Sequence, residues 1–146
     1  MEEIPRNKIV EEARKFKGVP FKHQGRSRKH GIDCVGMLII LGEENGFYKE
    51  SLENNRYPKN PEVFKIKETL DEILVPIDKD KFKEGDILLF RIPFHPQHVG
   101  IVTDYSDQSY GIVQAYQTIG KVVEHRLDQK WIDRIVKAYQ VPGVEE

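Results

Sequence analysis

Lys29-His30-Gly31-Ile32-Asp33-Cys34-Val35-Gly36-Met37-Leu38-Ile39-Ile40-Leu41 turns from a polar loop into an apolar run, and it carries the only cysteine of the chain. Met37 to Leu41 is unbroken apolar sequence, closed by Gly42-Glu43-Glu44-Asn45-Gly46. This pattern predicts a buried helix entered through Asp33 and left through glycine. Cys34 then occupies the first turn, where unpaired backbone N–H groups and the helix dipole favour a thiolate. Such a setting lowers a cysteine pKa from about 8.5 to roughly 3.5–7.5. The other reading of the same residue is a structural thiol packed as a small hydrophobe.

Composition sets outer limits. At 146 residues, 38% hydrophobic and 32% charged, the chain reads as an ordinary globular protein, and 1–146 is expected to be a single domain. A net charge of −1 gives no field to draw nucleic acid or an anionic membrane. One cysteine cannot build a disulfide framework. No run approaches the roughly 20 apolar residues of a membrane span. Met1-Glu2-Glu3-Ile4-Pro5 is no signal peptide, so synthesis in the cytoplasm is expected. A substrate outside the cell would then need another delivery route.

Residues 4–17 read as an amphipathic helix, with Ile4, Ile9, Val10, Ala13 and Phe16 at helical spacing and Pro5 near the start. Gly18 and Pro20 stop it. Lys22 to His30 is a basic loop, either solvated or a rim that attracts carboxylates beside Cys34. Residues 47–60 read as a loop, and 61–74 as a second amphipathic helix ended by Pro76. From Gly85 the period shifts to strands. Residues 86–92 are too apolar for a one-sided strand and suggest a central one. Strands at 98–103, 111–116 and 121–125 follow, with hairpin loops at 104–110 and 117–120. A short helix at 127–135 and a closing strand at 136–141 end the pattern. Helices first and antiparallel strands afterwards indicate an α+β fold.

A thiolate nucleophile needs an imidazole partner, itself oriented by a third polar group. The histidines are His23, His30, His95, His98 and His125. His98 is best placed, because it opens a strand directly after a loop. It shares a face with Val102 and with Gly100, whose small size leaves room for close approach. If the next turn centres on Ser106, His98 lies opposite Gln114. A one-residue slip would separate the two side chains, and a two-residue slip would leave them diagonal on one face. Gln114 interrupts Ile112-Val113-Gln114-Ala115, where a buried amide needs a partner. The alternative is an edge-strand amide in water.

Four blocks then stand in order: Gly31-Ile32-Asp33-Cys34-Val35-Gly36-Met37, Gly85-Asp86-Ile87-Leu88-Leu89-Phe90, His98-Val99-Gly100-Ile101-Val102 and Ile112-Val113-Gln114-Ala115-Tyr116. Together, from about Phe16 to Trp131, they resemble the NlpC-type cell-wall peptidases, a papain-like cysteine peptidase superfamily. Pro20-Phe21-Lys22-His23-Gln24-Gly25 and Val122-Val123-Glu124-His125 are also similar to the branch found with bacteriophage tails and gene-transfer particles. The resemblance implies a papain-like fold, with Cys34 on a buried helix packed against a C-terminal antiparallel sheet. It makes Cys34 the nucleophile, His98 the base and later acid, Gln114 the orienting residue, and Asp33 a holder of the substrate's free amine. It implies hydrolysis of amide bonds in peptidoglycan stem peptides, commonly between D-Glu and the following diamino acid. It implies no metal or organic cofactor. The particle-associated branch would add tail or particle proteins as partners and a place on the virion.

Three positions depart from the family pattern. Val35 replaces a frequent Ser, and Gln114 stands where His is common. Phe21 stands near a usual Tyr whose hydroxyl helps the active site; either His23, two residues on, replaces that donor or it is missing. Two rival readings follow from the residues. His95 and His98 with Cys34, and His23 or His30 as a fourth ligand, would make a zinc site. A non-catalytic module would bind cell wall or tail proteins through the same cleft.

Overall fold

The computed structural model describes residues 3–47, 66–91 and 96–146. The expected loop at 47–60, the start of the second helix, Ile92 and His95 fall wholly or largely outside them. The order is α1 (Arg6–Arg14), β1 (Arg26–Ser27), β2 (Gly31–Ile32), α2 (Cys34–Asn45), α3 (Ile66–Ile73), β3 (Val75–Ile77), β4 (Ile87–Arg91), β5 (Pro96–Ser106), β6 (Ser109–Tyr116), β7 (Lys121–Arg126), α4 (Gln129–Ile132) and β8 (Ile135–Gln140). Six strands form one antiparallel sheet in the order β3-β8-β4-β5-β6-β7, giving the expected α+β fold. No helix among the described residues is long and apolar enough to cross a membrane.

β4 is central, as its apolar run requires: β5 and β8 flank it, and Ile87 to Phe90 are all fully buried. Alternation then divides the interior in two. Ile87 and Leu89 join Val99, Ile101, Val113 and Ala115 against the helices, where Ile9, Ala13, Leu38 and Leu41 meet them. Leu88 and Phe90 face the other way, with Val102, Ile112, Ile135 and Ala138, beneath Trp131. The α4 turn exists to deliver that indole. Asp128 caps it through the Trp131 N–H at 3.1 Å.

α2 buries Val35, Met37, Leu38, Ile39 and Leu41, so it is apolar nearly all round, the mark of a buried helix. Gly46 ends it at φ 79°, a conformation glycine adopts without a Cβ penalty. α1 is shorter than the expected 4–17, because Pro5 serves as its N-cap residue and Lys15 to Gly18 turn away. Phe16 is nevertheless fully buried.

Three local readings are corrected. Pro76 ends the helix but also sits inside β3, an edge strand that tolerates a residue with no N–H. β5 runs on to Ser106, so the expected loop at 104–110 shrinks to a turn at Asp107-Gln108, with a bulge between Thr103 and Ser106. The basic loop contains the β1–β2 hairpin, and its arginines are held by the protein's own acids. Arg26 pairs with Asp33, and Arg28 pairs with Glu44 while lying 4.4 Å over the Phe16 ring.

The Gly85-Asp86 block is structural. Asp86 Oδ1 accepts from Arg6 Nη1 at 2.7 Å and Oδ2 from the Lys83 N–H at 2.8 Å; both members of the ion pair are buried. Burial raises the Asp86 carboxyl despite the Arg6 guanidinium. Removing one partner of a buried pair costs about 3–5 kcal/mol, since the other charge stays desolvated. Arg6→Met should therefore destabilise by about that amount in urea unfolding at neutral pH. Asp86 would take up a proton more readily once the guanidinium is gone, so the deficit should shrink as pH falls. A deficit under about 1 kcal/mol, the ceiling typical of exposed pairs, would show that the pair is not buried in solution.

Candidate active site

Asp33 and α2 set the position of the thiol. The Asp33 carboxylate accepts from the Gly36 N–H at 2.9 Å, capping the helix, and from the Gln24 N–H at 2.7 Å. Arg26 reaches the same group at 3.2 Å. Asp33 is 3% exposed, so in the free protein the carboxylate fixes the preceding loop onto the helix start. Glycine permits this contact, because a Cβ on Gly36 would lie 2.2 Å from the Gly25 carbonyl oxygen. Phe21 is half-buried, pairs in parallel with Ile32 and packs on the helix-side core. His23 is half-buried in the same loop.

Cys34 is the first residue of α2 and half-buried, yet its sulfur is closely surrounded. Burial, seconded by the Asp33 carboxylate, pushes the thiol up to about 12. Hydrogen bonds from the backbone N–H groups of Val99, Val35 and Cys34 itself pull the other way and lose. Burial of the sulfur thus works against the low thiol pKa expected from the helix start.

The Val99 N–H matters for position, because it brings the sulfur to the residue next to His98 on β5. The thiol and the imidazole share no direct hydrogen bond among the described residues. His98 Nε2 is instead bonded to Gln114 Oε1 on β6. Gln114 is fully buried on an interior strand, so the edge-strand reading fails. The expected opposition is also shifted. Ile101 pairs with Val113 and Val102 with Ile112, a register that carries Gly100 level with Gln114. His98 and Gln114 are therefore diagonal, the two-residue offset that keeps both on one face. The space at Gly100 is filled by Ile112, whose Cγ1 would lie 2.6 Å from an added Cβ.

Three aromatic side chains enclose the imidazole: Tyr116 at 5.9 Å, Phe90 at 6.2 Å and Trp131 at 6.3 Å between ring centroids. This burial pushes His98 down to about 4, against the pull of its bond to Gln114. The resting pair is a neutral thiol and a neutral imidazole. Tyr116, Trp131 and His125, which bonds Gln114 in turn at 2.6 Å, received no site role from the sequence. Register alone held the signal for His125, since it lies on the Gln114 face of the next strand. For the zinc reading, no three His, Cys, Asp or Glu side chains converge among the described residues. Cys34 and His98 are occupied by backbone and amide groups.

Neither a protein-family model nor a curated protein sequence matches the chain. Solved structures do match its fold. An NlpC/P60 family protein from Bacillus cereus ATCC 10987 aligns with TM-score 0.68 at 16% identity, over 98% of this chain and 41% of that one. A lipoprotein-like protein of the NLP/P60 family from Staphylococcus aureus subsp. aureus Mu50 gives 0.62 at 17%, over 97% and 42%. The NlpC/p60 domain of the peptidoglycan hydrolase SagA gives 0.63 at 20%, over 94% of this chain and all of that domain. The chain thus has the NlpC/P60 fold and spans about two fifths of the first two proteins. None of these names mentions a phage tail or particle.

Two titrations test the neutral pair. Iodoacetamide alkylation of Cys34 should rise with pH without an inflection below that of a free thiol, about 8.5. An inflection under about 7.5 would show an activated thiolate instead. The His98 ring-proton NMR shifts should stay flat from neutral pH down towards about 4, because a depressed imidazole pKa keeps the ring neutral above it.

Proposed function

We propose that the protein is a cysteine peptidase acting on amide bonds of peptidoglycan stem peptides, with Cys34 as nucleophile, His98 as base and then acid, and Gln114 orienting the imidazole. The observation that carries this reading is the buried His98–Gln114 hydrogen bond, one residue along β5 from the N–H that faces the Cys34 sulfur. With Nε2–H donated to Gln114, His98 Nδ1 keeps its lone pair and serves as the base. The thiol proton moves to Nδ1 as Sγ attacks the amide carbon. The C–S bond forms, and the Cys34 backbone N–H is the candidate donor to the oxyanion. His98 then passes the proton to the leaving amine as the C–N bond breaks. Water, deprotonated by His98, attacks the thioester and returns the thiol. A neutral amide holds the tautomer without stabilising an imidazolium by charge, so the proton travels with the attack rather than before it.

Support for the substrate class comes from the fold shared with a peptidoglycan hydrolase domain. The finer expectation is cleavage between D-Glu and the following diamino acid. A substrate amine held by Asp33 would share that carboxylate with Arg26. Phe21 and His23, on the loop that Asp33 anchors, line the approach in this reading. The raised thiol and depressed imidazole favour one second reading, a non-catalytic module that binds cell wall through the same cleft.

Incubation with defined muropeptides followed by mass spectrometry decides between them. Cleavage is expected, and Cys34→Ala or His98→Ala should abolish it. Gln114→Ala should lower kcat at least about tenfold with little change in KM, part of the roughly 10²–10⁴-fold that general-base catalysis contributes. Gln117→Ala, in the turn after β6, serves as the control. Binding without cleavage, indifferent to Cys34→Ala, would establish the module instead.

A further inference from the structure

The hydrogen bonding at His98 continues beyond Gln114. Gln114 Nε2 lies 2.6 Å from His125 Nε2, and His125 Nδ1 lies 2.8 Å from the backbone carbonyl of Arg126. A carbonyl oxygen only accepts, so His125 Nδ1 carries the proton. In the neutral ring Nε2 is then an acceptor, and the Gln114 atom facing it is the amide NH₂. The Gln114 oxygen therefore faces His98, whose Nε2 carries the proton and whose Nδ1 keeps its lone pair. Each assignment forces the next, starting from a group that cannot change.

Register makes the three residues a line. Gln114 is paired with Val123, so His125 stands two residues along β7, just as His98 stands two residues along β5 in the opposite direction. The line crosses β5, β6 and β7 diagonally on the Trp131 side of the sheet. The Trp131 ring lies tilted at 5.4 Å from His125 and 6.3 Å from His98, keeping both ends of the line against one indole.

We propose that His125 is a positioning residue: through Gln114 it holds His98 in the Nε2–H tautomer, the one that leaves Nδ1 free to take a proton from Cys34. An amide can turn over with little change of shape. Turned over, Gln114 would offer its NH₂ to His98 Nε2 and drive the imidazole proton to Nδ1, which removes the base. It would also set its oxygen against His125 Nε2, forcing the His125 proton off Nδ1 and leaving two lone pairs facing each other at the Arg126 carbonyl. His125 makes the wrong orientation costly either way, at Nε2 if its proton stays on Nδ1 and at Nδ1 if the proton moves. The catalytic meaning rests on the function proposed above; the tautomer does not.

The test therefore has an arm that needs no substrate. Long-range ¹H–¹⁵N correlation on histidine-labelled protein at mildly alkaline pH should show His98 as the Nε2–H tautomer and His125 as the Nδ1–H tautomer. In His125→Phe, which keeps a ring against Trp131 but has no acceptor, His98 should become a mixture of tautomers. In the turnover assay kcat should fall in proportion to the Nε2–H fraction lost, at nearly unchanged KM, the signature of a lost base rather than lost binding. His125→Gln, whose side-chain oxygen can accept at the Nε2 position, should restore most of the rate. The proposal is overturned if wild-type His125 is the Nε2–H tautomer, if His98 stays wholly Nε2–H in His125→Phe, or if the Phe and Gln variants turn over equally. If no muropeptide is cleaved, the function fails while the tautomer measurements still decide the role of His125.

Discussion

The Asp33 carboxylate is the contact on which the site is built. One group caps α2, receives the Gln24 N–H and pairs with Arg26, so the helix start and the loop before it are a single unit. An N-cap of this type is worth about 0.5–2 kcal/mol, a large share of the marginal stability of a small domain. Gly25 and Gly36 let the two segments meet backbone to backbone. The loop is also tied to the sheet, since the Phe21 N–H donates to the Gly120 carbonyl and Pro20 pairs with Lys121. Displacing any one of these elements would move Cys34 relative to β5.

That same anchoring explains the raised thiol. A helix N-terminus stabilises an anion by about 0.3–1 kcal/mol, rising to about 2 in the best cases. With 1.36 kcal/mol per pKa unit, this is about one unit or less in most cases. Full burial moves a pKa by up to about 3–5 units, and the adjacent carboxylate adds to it. Burial decides the outcome, and it acts on His98 in the opposite direction. Thiol and imidazole are driven towards their neutral forms together, which disfavours a thiolate–imidazolium pair.

Much of this was legible in the sequence. The α2 boundaries followed from Asp33, the apolar run and Gly46, and centrality of β4 followed from four consecutive apolar residues. His98 and Gln114 emerged from strand entry and an interrupted apolar strand. What stayed hidden depended on non-local packing. The sulfur's surroundings come from Val99 on a distant strand, which no window around Cys34 contains. β3 was hidden because Pro76 argues against a strand except at an edge, and only the topology makes it an edge. The turn at Asp107-Gln108 lies beyond Ser106 and moves the pairing by three residues, and the bulge at Thr103–Ser106 takes one back; neither feature is marked in the local sequence. His125 was within reach, because the short loop after Tyr116 fixes the β6–β7 register and places it on the Gln114 face.

The polar line across an otherwise apolar face has a structural consequence of its own. Gln114 is fully buried, and leaving a buried donor or acceptor unpaired costs about 1–3 kcal/mol. Its oxygen is satisfied only from β5 and its nitrogen only from β7. A one-residue slip in either hairpin would turn His98 or His125 to the opposite face and strand the amide. Apolar side chains such as Ile112 and Val102 discriminate weakly between neighbouring registers, since either alternative still buries hydrocarbon. The amide discriminates sharply, because its two ends require different neighbours. The groups that hold the candidate base in its tautomer therefore also fix how three strands align, and the bulge between Thr103 and Ser106 reconciles that alignment with a tight turn at Asp107-Gln108.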